Sequence, residues 1–452
     1  MHTAEPSSGG LTATRISRLS LEIETRPEAS PIDGGPRDDN APFTLLELHA
    51  DYLLGKERTI ATHSDRARWL SVEPTSAAPE EAGPAALGGK RAQVAEETDA
   101  GDGPLTVAIP SICSSLREDY IVTLKIGIVG AGNVARSNYV PFLSRQEDVE
   151  LTYLSRTREK AEALAAEFGG HVVDTAADLA AETPDAVLVL TRETQRAEAI
   201  TALLEHKFRR LFFEKPLVAQ RGQENVCEED FFTARDLLRQ AEAAGIETAM
   251  VFNYRFFEQT QRARRLVAER QFGQPLQVVA YSHYATWSHV IDLIHLFAGP
   301  VVAMTAVDSA AARGTGDNAA CDVGAAFRLA NGAIGTILGT SSPSFAFPLF
   351  ELTMNFEGGR LHMRDLDGEM EVLDYAGSVH ERIAPITNSS RWDHYGASFG
   401  KSLDAYLGSI RRAEPPPVSG AAGLEELRFE AALKRAAAQR RWVDLEAEFP
   451  LA

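Results

Sequence analysis

LKIGIVGAGNVARSNYVPFL, Leu124 to Leu143, reads as a buried strand that turns through Gly130-Ala-Gly-Asn-Val-Ala135 into a helix. The turn has the spacing G-x-G-x-x-G/A, with Ala135 in the third small position. That spacing acquires meaning from its place between a strand and a helix. Gly130 permits the tight turn, and Gly132 lets the backbone approach a pyrophosphate. The helix N-terminus at Asn133 and Val134 supplies free N–H groups and the positive end of a dipole.

Downstream, strand and helix signals alternate as in a parallel α/β sheet. Strands are expected at Val149–Ser155, Asp185–Thr191, Arg210–Glu214 and Glu247–Asn253. Helices are expected at Thr157–Gly169, Ala197–His206 and Phe231–Gly245. These make a Rossmann dinucleotide-binding domain over 123–254. Beyond Arg255 the order changes. A strand at Gln274–Tyr284 and an apolar helix at Ser288–Gly299 precede several β-rich segments, with Asn331-Gly332 and Gly358-Gly359 expected to make positive-φ hairpin turns. Two helices, around Phe399–Arg412 and Leu424–Ala438, close the chain. Residues 255–452 are therefore expected to form an α/β domain with a largely antiparallel open sheet.

Upstream, residues 1–122 differ in texture. Pro, Gly, Ser, Ala and acidic residues cluster at Glu28–Pro42 and Glu73–Pro104, and such stretches bury too little apolar surface to offset chain entropy. A poorly structured, low-complexity extension is expected, with one helix over 42–58 and at best an edge strand in Leu105–Ile112. A translation start near Val122, or an arm that docks on a neighbouring subunit, are the two readings of this extension.

Composition narrows the function classes. The chain has 452 residues, 45 Lys plus Arg and 64 Asp plus Glu, for a formal charge of −19. Such an acidic balance argues against a binder of phosphate backbones, so no nucleic-acid partner is expected. No window approaches the apolar length of a membrane span, and the N-terminus lacks a secretory signal; a cytoplasmic location is expected. Cys113, Cys227 and Cys321 are far apart and in no Cys-x-x-Cys pair. Reduced thiols and no metal are expected.

Two strand ends carry the chemistry. After the second strand, where an NAD-specific domain places a carboxylate, the chain reads Ser155-Arg156-Thr157-Arg158. A carboxylate there would repel a 2′-phosphate by about 4 kcal/mol at an effective dielectric of about 20 and a separation of about 4 Å. Charged hydrogen bonds from Arg156 would attract one. Both point to NADP(H) over NAD. After the fourth Rossmann strand comes Thr191-Arg-Glu-Thr-Gln-Arg196, which puts Thr191, with Arg192 or Arg196, near cofactor or substrate. The next strand runs into Glu214-Lys215-Pro216 at the carboxyl edge of the sheet, where open α/β sheets bind ligands. Lys215 suits proton transfer to or from a carbonyl oxygen.

GIVGAGNVARSNYVPFL, FFEKPL, VFNYRF, HVIDL, NGAIGTI and PPPVSGAAGLEELRFEAAL occur in this order. Together they resemble the glucose-fructose oxidoreductase, inositol dehydrogenase and rhizopine-catabolism family of NAD(P)-dependent oxidoreductases. The resemblance covers Leu124 to the C-terminus. It implies hydride transfer at a secondary alcohol or ketone carbon of a sugar, aminosugar, cyclitol or glycoside, and homo-oligomers formed through the C-terminal sheet. It implies that Lys215 binds near the nicotinamide and the reacting oxygen with Glu214 beside it, that His289 is the acid/base, and that Asp292 follows one helical turn later. Tyr254 is a further catalytic candidate, and His283, Tyr284 and Trp287 are candidate substrate contacts; Trp392, His394 and Tyr395 could close the pocket from the C-terminal side. The chain departs from the family pattern where the Asp expected four residues before His289 is Ala285, and where the loop before that helix is short. Two other readings stay open: an imine reductase of natural-product assembly, or a non-catalytic cofactor or sugar sensor.

Overall fold

A computed structural model describes residues 123–314, 319–341, 348–385, 388 and 390–451, and the backbone of 60–62, 68–71 and 105–106. Cys113 and the helix expected over 42–58 lie outside the described residues. The chain divides into two compact units, Met1–Asp119 and Tyr120–Ala452. In the first, β1 (Ile60–Thr62) pairs antiparallel with β2 (Arg68–Ser71), which pairs in parallel with β3 (Leu105–Thr106). The edge position of β3 fits its short apolar run; β1 and β2 carry no alternation that announced them.

The second unit holds two sheets. β4 (Leu124–Val129), β5 (Val149–Leu154), β6 (His171–Val173), β7 (Ala186–Val189), β8 (Arg210–Phe213) and β9 (Glu247–Met250) form an all-parallel sheet in the order β6-β5-β4-β7-β8-β9. This is the Rossmann order, with the switch point between β4 and β7. β4 and β7 are almost wholly buried because helices cover both faces, which is why their sequences are continuous apolar runs. The helices of this layer are α1 (Val140–Leu143), α2 (Arg158–Phe168), α3 (Ala176–Ala181), α4 (Glu193–Leu204) and α5 (Glu228–Ala243). A π-helical turn, Ala135–Tyr139, precedes α1.

The second sheet has nine strands. They are β10 (Pro275–His283), β11 (Val301–Arg313), β12 (Ala320–Leu329), β13 (Ile334–Thr340), β14 (Phe350–Phe356), β15 (Gly359–Arg364), β16 (Met370–Asp374), β17 (Val379–Ile383) and β18 (Val443–Asp444). Their order is β17-β16-β15-β14-β10-β13-β12-β11-β18, and every pair except β10–β13 is antiparallel. The expected hairpin at Asn331-Gly332 joins β12 to β13, with Gly332 at φ +88°. Gly358-Gly359 departs from expectation, since neither residue has positive φ. Its glycine is required by packing instead: a Cβ at Gly359 would lie 2.5 Å from the Phe272 ring.

Five more helices complete the unit: α6 (Glu258–Glu269), α7 (Trp287–Ala298), α8 (Arg391–Arg411), α9 (Gly420–Gln439) and α10 (Leu445–Glu448). α8 begins in a capping box between Ser390 and Asp393, which satisfies the free N–H groups of its first turn. It returns to the Rossmann sheet. Arg411 grips Asp148 through two hydrogen bonds of 2.8 and 2.7 Å, and Asn253 donates to Ser398 at 2.8 Å. α9 is buried around most of its circumference, between β9, β11, α5 and α7, with Glu426, Arg428 and Glu430 among its buried residues. Among the described residues, no helix is long and apolar enough to cross a membrane.

Candidate active site

The glycine turn leaves β4 with Gly130 at φ +103°, where a Cβ would stand 2.8 Å from the Thr191 backbone nitrogen. Only glycine fits that close approach of two strand ends. Gly132 has open space where its Cβ would be, and Asn133 and Val134 are exposed. The Thr191 hydroxyl oxygen is buried and has no hydrogen-bond partner. An open backbone cradle beside an orphaned hydroxyl, at the switch point of the sheet, fits a dinucleotide.

At the end of β5, Ser155 accepts a hydrogen bond from the Thr157 N–H at 3.3 Å, and Arg156 is exposed. Arg158 is committed elsewhere, to Glu162 at 2.8 Å and to Asp174. Of the two arginines that follow Ser155, Arg156 is the one left facing solvent without an ion pair among the described residues.

The turn after β8 is fixed from within. The Lys215–Pro216 peptide is cis. Glu214 is buried, with one carboxyl oxygen accepting from the Tyr139 hydroxyl at 2.8 Å and the other from the Lys215 N–H at 2.7 Å. Arg196, 2% exposed, donates to the carbonyls of Glu214 at 2.7 Å, Thr191 at 2.6 Å and Pro216. Arg196 was expected near ligand; the structure instead makes it a clamp on three carbonyls that join two strand ends. Arg192 is exposed at the start of α4. Burial, and secondarily the Glu214 charge, raise the Tyr139 hydroxyl well above the usual phenol range. Lys215 reaches out of this turn, and its Nζ donates to Gln223 Oε1 at 3.1 Å.

His289 comes from the first turn of α7, directly after a three-residue 3₁₀ turn, Tyr284–Thr286, that joins it to β10. Its imidazole stacks on the Tyr254 ring at a centroid distance of 4.0 Å and an interplanar angle of 3°, with Phe252 edge-on at 6.0 Å. Burial first, then the Lys215 charge, hold His289 well below its ordinary value, so it is neutral. Its Nδ1 has no hydrogen-bond partner among the described residues. Asp292, one turn on, does not fill that role. It accepts two hydrogen bonds from Arg255, at 2.8 and 2.6 Å, inside the fold. The Arg255–Asp292 pair lines a separate cleft of about 580 Å³ with His295 and Pro416–Ser419, which includes neither Lys215 nor His289.

Among the remaining candidates, the His283 ring accepts from the Ala285 N–H at 3.0 Å, Tyr284 donates to the Cys321 carbonyl, and Trp287 is buried. Tyr395 of α8 lies within the electrostatic reach of Glu214, Tyr139 and Tyr254. Trp392 packs edge-on against it at 6.1 Å. Two residues that the sequence reading passed over, Glu426 and Glu430 of α9, are buried in the same region, and Glu426 feels the Lys215 charge. No sequence signal marked them, because their helix carries six charged residues and reads as partly solvent-facing.

Comparison with known proteins fits the cradle. Residues 124–229 match the GFO_IDH_MocA oxidoreductase family, with its NAD-binding Rossmann fold. A glucose-6-phosphate 3-dehydrogenase of Bacillus subtilis (strain 168) is 24% identical over 155 residues. That stretch covers 34% of this chain and 41% of the relative's length. Likeness of fold covers about seven tenths of the chain. An oxidoreductase from Agrobacterium radiobacter, solved with NAD+, L-tartaric acid and magnesium, superposes with a TM-score of 0.60 at 18% identity, over 72% of this chain and 99% of that one. The WlbA dehydrogenase from Bordetella pertussis, solved with NADH and UDP-GlcNAcA, gives a TM-score of 0.57 at 18% identity, over 71% and 97%. The glycine turn and the Glu-Lys-Pro strand end both lie within the matched segment.

Proposed function

We propose that the chain is a nicotinamide-dependent oxidoreductase that acts on a secondary alcohol or ketone carbon of a sugar or aminosugar. The observation that carries the reading is the glycine cradle beside the buried Thr191 hydroxyl at the switch point of the parallel sheet, with Lys215 leaving β8, the strand next to β7. The dehydrogenases it resembles, one acting on glucose 6-phosphate and one solved with a nucleotide sugar, support the substrate class.

A bound nicotinamide cofactor supplies the hydride acceptor or donor. Gly130, Gly132, Asn133, Val134 and Thr191 would hold its pyrophosphate side, and Ser155 and Arg156 its adenosine ribose. Lys215 would hold the reacting oxygen and move its proton. His289 is neutral, lacks a partner at Nδ1 and rests on Tyr254, so it can accept a proton or a hydrogen bond without first losing a charge. Asp292 acts at one remove, by fixing Arg255 and with it the end of the Tyr254 turn.

Exposed Arg156, with Ser155 in the place of a carboxylate, favours NADP(H) over NAD. Titration calorimetry with NADPH and NADH tests this. Tighter binding of NADPH that Arg156→Glu reverses is expected, and equal affinity for both cofactors would remove the preference. The C-terminal sheet gives a second copy of the chain a surface to pair with. Val279, Val307, Ile334 and Leu338 are each more than half exposed on one face of β10–β13, and the pairing Val307–Gly324–Leu338–Tyr281 places one row of that face across four strands.

A further inference from the structure

α9 carries two carboxylates one turn apart, Glu426 and Glu430, which are 0% and 5% exposed. Neither carboxyl oxygen of Glu426 accepts a hydrogen bond among the described residues. An ionised carboxylate left so would meet the full cost of desolvation, so a proton or a mobile cation must balance it. Around Glu426 stand its neighbour Glu430, the Lys215 ammonium from β8 and the Asp292 carboxylate from α7. Around Glu430 stand Lys434 on its own helix, Asp230 of α5, the Tyr284 hydroxyl and the Trp287 indole. Burial first, and then their mutual interaction, raise Glu426 well above the carboxylate range, while burial raises Glu430. Two carboxyl groups in one desolvated space do not both ionise near neutrality.

Glu426, Glu430 and Lys434 are spaced i, i+4 and i+8, so they line one face of α9. The row begins at buried Glu426, within electrostatic reach of half-buried Lys215, and ends at half-buried Lys434.

We propose that Glu426 and Glu430 hold one shared proton and exchange it with Lys215. This rests on the oxidoreductase reading for its use, though not for the existence of the shared proton. In carbonyl reduction the reacting oxygen takes a proton from Lys215 Nζ as its O–H bond forms. Lys215 is reprotonated from the pair, and the pair is refilled from solvent past Lys434. In alcohol oxidation each proton moves the other way, and one proton leaves to solvent for each turnover. Glu426 acts through Lys215 and does not itself touch substrate.

Infrared spectroscopy of the full chain reads the proton directly, with no substrate present. At neutral pH the wild type should show the carbonyl-stretch band of a buried, protonated carboxylic acid, and both Glu426→Gln and Glu430→Gln should abolish it. Absence of the band in the wild type, or its survival in both variants, overturns the proposal. If one variant fails to fold, the other decides. With any sugar, sugar phosphate or nucleotide sugar that supports nicotinamide reduction, Glu426→Gln should lower kcat about tenfold at unchanged KM and displace the pH profile, and Glu426→Asp should restore part of the rate. An unchanged kcat and pH profile would overturn the exchange with Lys215. A band that behaves as expected, with no turnover on any of these compounds, would sink the oxidoreductase reading instead.

Discussion

Arg255 and Asp292 meet inside the fold through two parallel hydrogen bonds, and the carboxylate is 1% exposed. Burial alone raises Asp292 above its usual value, against the pull of Arg255. Arg255→Ala should therefore destabilise the protein by about 3–5 kcal/mol, because it leaves a buried charge without its partner; Arg255→Ala combined with Asp292→Asn should recover part of that loss in urea unfolding. The two histidines of α7 give a pH signature. Both are depressed by burial first, His295 to about 4. The unfolded chain then binds protons that the folded chain refuses, so their contribution is complete above about pH 6.5 and is lost as pH falls toward the folded values. Each should steepen the acid limb of stability by up to about 1.4 kcal/mol per pH unit. Thermal melts between pH 7.5 and 5 should show His295→Phe flattening that slope. At this scale Lys215 and His289 stood out in the sequence because their surroundings form short ordered motifs. Glu426 did not, since a carboxylate on a helix reads as solvent-facing until the neighbours on all sides are known.

At the scale of elements, the parallel sheet was legible because doubly covered strands such as β4 and β7 are written as unbroken apolar runs. α6 was not, because its twelve residues are strongly charged and bury only Thr260 and Ala263. The π-helical turn at Ala135–Tyr139 leaves no periodicity to read, yet it delivers the Tyr139 hydroxyl to Glu214. The short connection before α7 was visible as a missing loop, and it closes in one 3₁₀ turn. Within that corner a Cβ at Gly339 would lie 2.5 Å from the Trp287 ring. Gly339→Ala should displace the Trp287 indole and cost about 1–3 kcal/mol through overpacking. Its tryptophan fluorescence should shift, whereas Gly332→Ala, at a site with open space but positive φ, should destabilise without that shift.

For the whole molecule, the antiparallel sheet and its packing against α7 and α9 leave one broad face outside. Exposed Val307 and Leu338 stand in a single cross-strand row there. Leu338→Glu should lower the mass seen by light scattering if two copies pair through this face, with folding unaffected because the side chain is already more than half exposed. Reading this face from sequence gave alternation without its consequence, since an outward Val or Leu on a strand is ordinary until several line up in register. Over the same scale, the two-sheet architecture places the glycine cradle, Lys215 and His289 at one edge, and the account of function rests on that placement. It is tested most directly by following nicotinamide reduction spectroscopically with NADP+ and NAD+ against a panel of sugars, sugar phosphates and nucleotide sugars, for wild type and Lys215→Met. The account predicts turnover on at least one compound, lowered about 100- to 10,000-fold in Lys215→Met while cofactor binding persists. Cofactor binding without turnover on any compound, or full activity in Lys215→Met, would contradict it.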